Sequence, residues 1–454
     1  MIPLREVFMA TTDNPSRRAW RTAVLGGMAS YMDAATIVGT GTALVLYKQQ
    51  LGLTPWMIGA ASSILTLGLA VGALLGGRLG DLLGRRRVFT YDLVVFLAGL
   101  ALLAFAADPW MIFVGVGVTG LAMGADIPTS LALVAEEAPK GRRARLVAFS
   151  QVLWSCGGLA AYLIGFLVSG LGATGARIIY LHVLVVAAVV LVLRQRLRES
   201  EEWVRERDRQ RQAPTGGSVS RGSVSRGSVS RGSVSRGDSL RRLASGPLLG
   251  AVIGLGLFYA IGNLVANTFG QFQTFLFTEV AGAEVSTATL VGLLAYPLGF
   301  GTVLIFMKFV DGPARMTLYT LGVLIMAAGA AIPLIAGVNT VTLIILKFCI
   351  TIGAGFAGEV IFKVWAQEFF PTLIRGTAQG IAIAFTRFVA AGFALVTPAI
   401  ADSSPRALMG VLLSAVLIAA VIGWAWIFPM RRRALAAEQA ASAEQAAAPE
   451  EATR

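Results

Sequence analysis

Glu136-Glu-Ala-Pro139-Lys-Gly-Arg-Arg143 and Glu368-Phe-Phe-Pro371-Thr-Leu-Ile-Arg375 share one frame, Glu-x-x-Pro-x-x-x-Arg, at an offset of 232 residues. Asp81-Leu-Leu-Gly84-Arg85 and Asp311-Gly-Pro-Ala-Arg315 repeat at an offset of 230. Two independent motifs at nearly one offset predict an internal duplication. Each motif stands at the end of an apolar run, and a run of about 20 such residues can cross a bilayer. Reading outward gives runs near 22–46, 56–77, 89–106, 110–135, 146–170 and 176–194, then 247–278, 285–307, 316–336, 340–366, 377–400 and 406–429. The predicted fold class is an all-α polytopic membrane protein, with twelve transmembrane helices in two pseudo-symmetric six-helix bundles.

Composition agrees. Of the 454 residues 56% are hydrophobic and 14% charged, against about 25% charged in soluble domains; mean hydropathy is +0.72. So little charge could not cover the surface of a soluble sphere this large. The net charge of +13 would suggest nucleic acid in a soluble protein. Here the positives sit in short runs between apolar segments, and no aromatic-interleaved basic patch accompanies them, so nucleic acid is not an expected partner. Two cysteines inside apolar stretches and a single histidine, His182, support neither a disulfide framework nor a metal site. No cofactor is expected. No nucleophile–base pair or ATP loop is visible, so the chain does not read as an enzyme. Arg17, Arg18 and Arg21 lead into the first span without a small-residue cleavage pattern, so no signal peptide is expected there.

Lys and Arg set the orientation. They gather after span 2 (Arg78, Arg85, Arg86, Arg87), after span 4 (Lys140, Arg142, Arg143, Arg145), after span 8 (Lys308, Arg315), after span 10 (Arg375) and after span 12 (Arg431, Arg432, Arg433). The alternate loops are short and nearly uncharged. Both termini are therefore expected in the cytoplasm and the chain in the cell membrane. The expected domains are an N-terminal bundle over 1–194, a cytoplasmic linker over 195–246, a C-terminal bundle over 247–430 and a cytoplasmic tail over 431–454. Within the linker Ser-Val-Ser-Arg-Gly recurs four times from Ser218 to Gly237; it has no apolar face at any period and is expected to be disordered.

The two motif pairs have mechanical readings. In Gly76-Gly77-Arg-Leu-Gly80-Asp81-Leu-Leu-Gly84-Arg85 the glycines permit a tight turn and close helix contact. Asp81 can face a helix N-terminus or an Arg. With Gly77, Gly84, Arg85, Glu136, Arg143, Glu368 and Arg375 it forms a candidate conformational latch. The second copy, Asp311-Gly-Pro-Ala-Arg315, is degraded, so its latch is expected to be the weaker.

With these motifs the chain resembles the major facilitator superfamily. The twelve spans, the Gly-rich loop, the paired Glu-x-x-Pro-x-x-x-Arg motifs and Leu197-Arg-Glu-Ser-Glu-Glu-Trp203 carry the resemblance, the last two pointing to its sugar-porter branch. More narrowly it is similar to bacterial inositol transporters of that branch, on Tyr31-Met-Asp33-Ala-Ala-Thr-Ile-Val, Gly124-Ala-Asp126-Ile, Ala135-Glu-Glu-Ala-Pro139, Asn263-Leu-Val-Ala and Trp365-Ala-Gln-Glu-Phe-Phe-Pro371-Thr. The resemblance implies two bundles around a cavity lined by spans 1, 4, 7 and 10; spans 3, 6, 9 and 12 hold the fewest mid-span polar groups and are expected to face lipid. It also places the coupling acid of proton-driven sugar porters at Asp33. Those porters pair that acid with an Arg in span 4. Here span 4 has no Arg: Val116 or a close neighbour takes the position, and Asp126 lies further along.

Ionisable groups inside a span cost at least about 2.5–3.5 kcal/mol on insertion scales, so each is a functional candidate. Asp33 and Asp126 are candidate proton-coupling acids, since a carboxyl in low dielectric can load and unload a proton. Arg387 in span 11 reads as the one internal Arg, either a counter-charge to one of these acids or the binder of a substrate carboxylate. Glu359 and Lys363, spaced i,i+4, form an ion pair or touch substrate. Tyr259, Asn263, Asn267 and Gln271 make a polar stripe on span 7, and Gln151 with Ser155 a smaller one on span 5. Neutral amides both donate and accept, which suits a hydroxyl-rich ligand; such stripes also join helices. Trp365 either stacks on a sugar face or sits at an interface.

The expected function is secondary active transport: proton-coupled symport of a polyol or sugar, inositol-like, by alternating access. The expected partners are the small-molecule substrate, protons and the lipid bilayer, and the expected state is a monomer. One alternative is symport of a small organic acid such as an aromatic carboxylate. A drug/proton antiporter is another, though span 5 reads Ser155-Cys-Gly-Gly-Leu-Ala-Ala-Tyr162 and lacks the proline-centred motif of that class.

Overall fold

Twelve helical segments follow the apolar runs. A computed structural model describes residues 15–83, 85–137, 143–195, 246–309, 312, 314–370 and 372–433. The N-terminal helices are α1 (Pro15–Leu51), α2 (Pro55–Leu83), α3 (Arg85–Ala104), α4 (Pro109–Glu137), α5 (Arg143–Leu167) and α6 (Ala173–Arg194). The C-terminal ones are α7 (Gly246–Phe275), α8 (Val285–Phe309), α9 (Arg315–Ala336), α10a (Thr340–Ala357) with α10b (Glu359–Phe369), α11 (Thr372–Ser403) and α12 (Pro405–Val421). Among the described residues, ten helices are long and apolar enough to cross a membrane. The apolar part of α3 is shorter, Thr90–Ala104. The Ser-Val-Ser-Arg-Gly repeat and the tail from residue 434 lie outside the described residues.

Local chemistry sets the helix starts. Thr54 Oγ1 accepts the Met57 N–H at 3.2 Å ahead of Pro55, the first residue of α2. Ser404 caps α12 in the same way, with Pro405 at its first turn. Asn339 and Thr342 exchange side-chain and backbone bonds in a full capping box at α10a. Gly52 and Gly282, at φ 61° and 66°, turn α1 into α2 and α7 into α8. These positions favour glycine, and their separation of 230 residues matches the motif offset.

The chain divides into two compact units, Met1–Arg226 and Gly227–Arg454. Packing inside them repeats. In the first, α1 lies on α5 and α6, α2 and α3 on α4, and α3 on α6; in the second, α7 lies on α11 and α12, α8 and α9 on α10a, and α9 on α12. The duplication read from two motifs therefore extends to the helix contacts.

The α2–α4 crossing is the tightest consequence of composition. A methyl at Gly72 would run into the Leu121 carbonyl, and one at Gly124 into the Leu69 carbonyl. Small residues let membrane helices approach this closely. The Gly-rich motif therefore supplies close contact, as expected of Gly76, which meets Ala125. The tight turn does not begin at Gly76, because α2 continues to Leu83. Gly124→Ala should destabilise by about 1–3 kcal/mol, read as a lower melting temperature in detergent. Gly250→Ala, which meets open space, should leave it unchanged or raise it.

Candidate functional site

In the C-terminal unit, polar side chains from α7, α10b and α11 meet. Span 10 is not one continuous helix: Gly358, at φ −96° and ψ −137°, ends α10a and starts α10b. Glu359 thereby becomes the first residue of a new helix, where the dipole favours a carboxylate. Its Oε1 takes the Lys363 Nζ at 2.7 Å, and both side chains are about half exposed. The Tyr259 hydroxyl and the Arg387 guanidinium act on the same carboxylate. The expected Glu359–Lys363 pair is formed, and Arg387 joins it on the second unit's own polar face.

The α7 stripe is partly satisfied internally. Gln271 is buried and its Nε2 donates to Asn267 Oδ1 at 2.9 Å, while Asn263 and Asn267 are half-buried. Tyr259 stacks on Phe362 with ring centroids 4.1 Å apart. Trp365 departs from expectation. It has no exposed surface and packs edge-on against Phe258 at 5.1 Å and Tyr319 at 5.4 Å. Neither a stacked sugar nor a membrane interface fits a ring buried inside the unit, so its expected stacking role is corrected to core packing. Lys347 lies over the Phe269 ring at 5.9 Å. On α5, Gln151 is exposed and Ser155 Oγ donates to its carbonyl at 3.1 Å.

In the N-terminal unit Asp33 is buried on α1, and Thr36 one turn on donates its hydroxyl to the Met32 carbonyl at 2.7 Å. Asp126 is also buried, with a partner the sequence reading missed. Arg194, the last residue of α6, turns inward, its side chain fully buried. Its Nη1 donates to both Asp126 oxygens at 3.0 and 2.9 Å, and its Nε to the Leu25 carbonyl at 3.1 Å. Ser130 Oγ donates to the same carboxylate. Arg387 is therefore not the one internal Arg, and the counter-charge of Asp126 is Arg194. Val185, Val189 and Val192 are exposed along α6, while Arg194 on α6 and Asp92 on α3 are buried.

Of the candidate latch residues, Glu368 has its ion pairs among the described residues. Arg315 Nη1 reaches its Oε1 at 2.7 Å, and Arg431 Nε its Oε2 at 2.6 Å. Arg315 of the degraded second copy thus starts α9 in an ion pair with Glu368 near the end of α10b, and Arg431, beyond α12, pairs with the same carboxylate. Gly84, the surroundings of Gly77 and the side chains of Asp81, Arg85, Glu136, Arg143 and Arg375 lie outside what the structure describes. Glu368→Gln should cost about 1.5–3 kcal/mol, the value of charge-assisted hydrogen bonds, as Arg315 is buried. A melting temperature equal to the parent's would show that the clamp adds nothing to stability.

The sequence pattern of the Major Facilitator Superfamily matches residues 23–395. The chain belongs to the major facilitator superfamily. It is a sugar-porter-like, multi-pass membrane transporter rather than an enzyme. It is 31% identical over 421 residues to the minor myo-inositol transporter IolF of Bacillus subtilis, covering 91% of this chain and 92% of that one. It is 30% identical over 206 residues to the niacin transporter NiaP of Acinetobacter baylyi, covering 42% of this chain and 45% of the other. Among solved structures, a D-xylose–proton symporter superposes with a TM-score of 0.72 at 19% identity, covering 90% of this chain and 97% of that one.

Proposed function

We propose that this transporter is a proton-coupled symporter of a polyol or sugar, inositol-like, working by alternating access with both termini in the cytoplasm. The observation that carries the reading is the α7 stripe, where Asn263 and Asn267 present neutral amides beside Tyr259. Amides that donate and accept match the hydroxyls of a polyol without demanding charge. The near full-length similarity to a myo-inositol transporter supports the substrate class. The buried Asp33 supports the proton.

Uptake of labelled polyols and sugars into proteoliposomes, with and without an inside-alkaline gradient, tests this. Asn263→Ala should raise KM for the polyol about tenfold, the equivalent of about 1.4 kcal/mol. Transport of carboxylates with no polyol uptake would overturn the reading.

A second reading, symport of a small organic acid, is favoured by one observation. Glu359 already holds Lys363, so Arg387 makes the local charge positive, as a carboxylate ligand requires. On this reading Arg387→Gln abolishes carboxylate uptake. On the first it leaves polyol uptake within a few fold.

A further inference from the structure

Asp92, on α3, contributes to neither the stripe nor the expected coupling site, yet it is 7% exposed. Its Oδ1 accepts the Leu93 N–H at 2.6 Å, and its Oδ2 is buried with no hydrogen-bond partner. Asp92 lines a cavity of about 10 Å³ together with Asp126, Ala29, Met32, Phe96 and Met123. That is room for about one water. Among the described residues, the charges acting on Asp92 are Asp126 from α4 and Arg194 from α6; α1 offers only Ala29 and Met32 to the cavity. Arg194 directs its hydrogen bonds to Asp126 and the Leu25 carbonyl.

Charge arithmetic follows. Among the described residues, two carboxylates and one guanidinium leave one negative charge in surroundings of Met, Phe and Ala. A buried ion whose counter-charge is engaged elsewhere costs several kcal/mol. One proton on Asp92 removes that charge. It also turns Oδ2, a buried acceptor that meets no donor, into a hydroxyl donor beside a cavity that Asp126 also lines. We propose that Asp92, with Asp126 and Arg194 around the cavity, is a proton-binding site of the N-terminal unit, separate from Asp33. The ligand is the proton itself, exchanged with water reaching the cavity. The site stands whether or not the proton drives substrate movement.

The test is infrared difference spectroscopy of the full-length protein in liposomes after a pH jump. The parent should show one C=O stretch of a protonated carboxyl that is absent in Asp92→Asn and retained in Asp33→Asn, which tells it apart from any band that Asp33 contributes. Asn keeps the acceptor for the Leu93 N–H and the shape of the neutral acid, so this variant should fold; Asp92→Glu should fold and shift the band rather than remove it. A spectrum in which no C=O band is lost or shifted in either Asp92 variant overturns the proposal. So does a band abolished by exchanging potassium for sodium in the buffer, which would make the ligand a metal cation. Loss of the band in Asp92→Asn alongside gradient-independent uptake keeps this site and rejects proton-driven symport. Persistence of the band in both Asp92 variants alongside gradient-driven uptake does the reverse.

Discussion

Arg194→Gln should lower stability by about 3–5 kcal/mol, the typical result of removing one partner from a buried ion pair. The side chain is fully enclosed and bonds both Asp126 oxygens and the Leu25 carbonyl. Gln cannot return the charge, so Asp126 is left anionic beside Asp92 in an apolar surround. The carbonyl in α1 loses its donor at the same time. At roughly 2–4 °C per kcal/mol for a unit of this size, the melting temperature read by size-exclusion after heating should fall by about 10 °C. Arg194→Lys restores the charge without the fork and should recover only part of that. Asp126→Asn is the milder lesion, because Asp92 remains close enough to face the guanidinium. A normal midpoint for Arg194→Gln would mean the cluster is hydrated and carries little energy.

Nothing in the sequence marks Arg194 as buried. It ends an apolar run and is followed by Gln195 and Arg196, the pattern of a charge flanking a membrane span. Its partner is 68 residues away, and sequence does not reveal whether a terminal Arg snorkels outward or turns in. Asp92 was hidden likewise, close behind Arg85, Arg86 and Arg87 at the start of its span. The break at Gly358 was illegible because Gly353 and Gly355 precede it within an unbroken helix. What could be read was periodic or repeated: the apolar runs, the two motif pairs, the i,i+4 spacing of Glu359 and Lys363, and the α7 amides. Trp365 shows the limit of residue type. An aromatic near polar neighbours suggests a ligand surface, and only packing reveals that Phe258 and Tyr319 enclose it.

Asp33→Asn should abolish concentrative uptake while sparing exchange. Asp33 is buried in α1, and an ionised carboxylate there carries a desolvation penalty at every step that keeps it from water. Proton binding removes the penalty and permits the carrier to change sides. Asn mimics the protonated acid, so the variant should still alternate and exchange labelled for unlabelled substrate at close to the parent's rate. It has no proton to release, so an inside-alkaline gradient should drive no accumulation and the internal concentration should stop at the external one. Proteoliposomes measure both quantities in one preparation. Accumulation retained in Asp33→Asn and lost in Asp126→Asn would move coupling to Asp126. Accumulation lost in Asp92→Asn instead would move it to the site on α3. If all three variants still concentrate substrate, the free energy comes from something other than a proton on these acids.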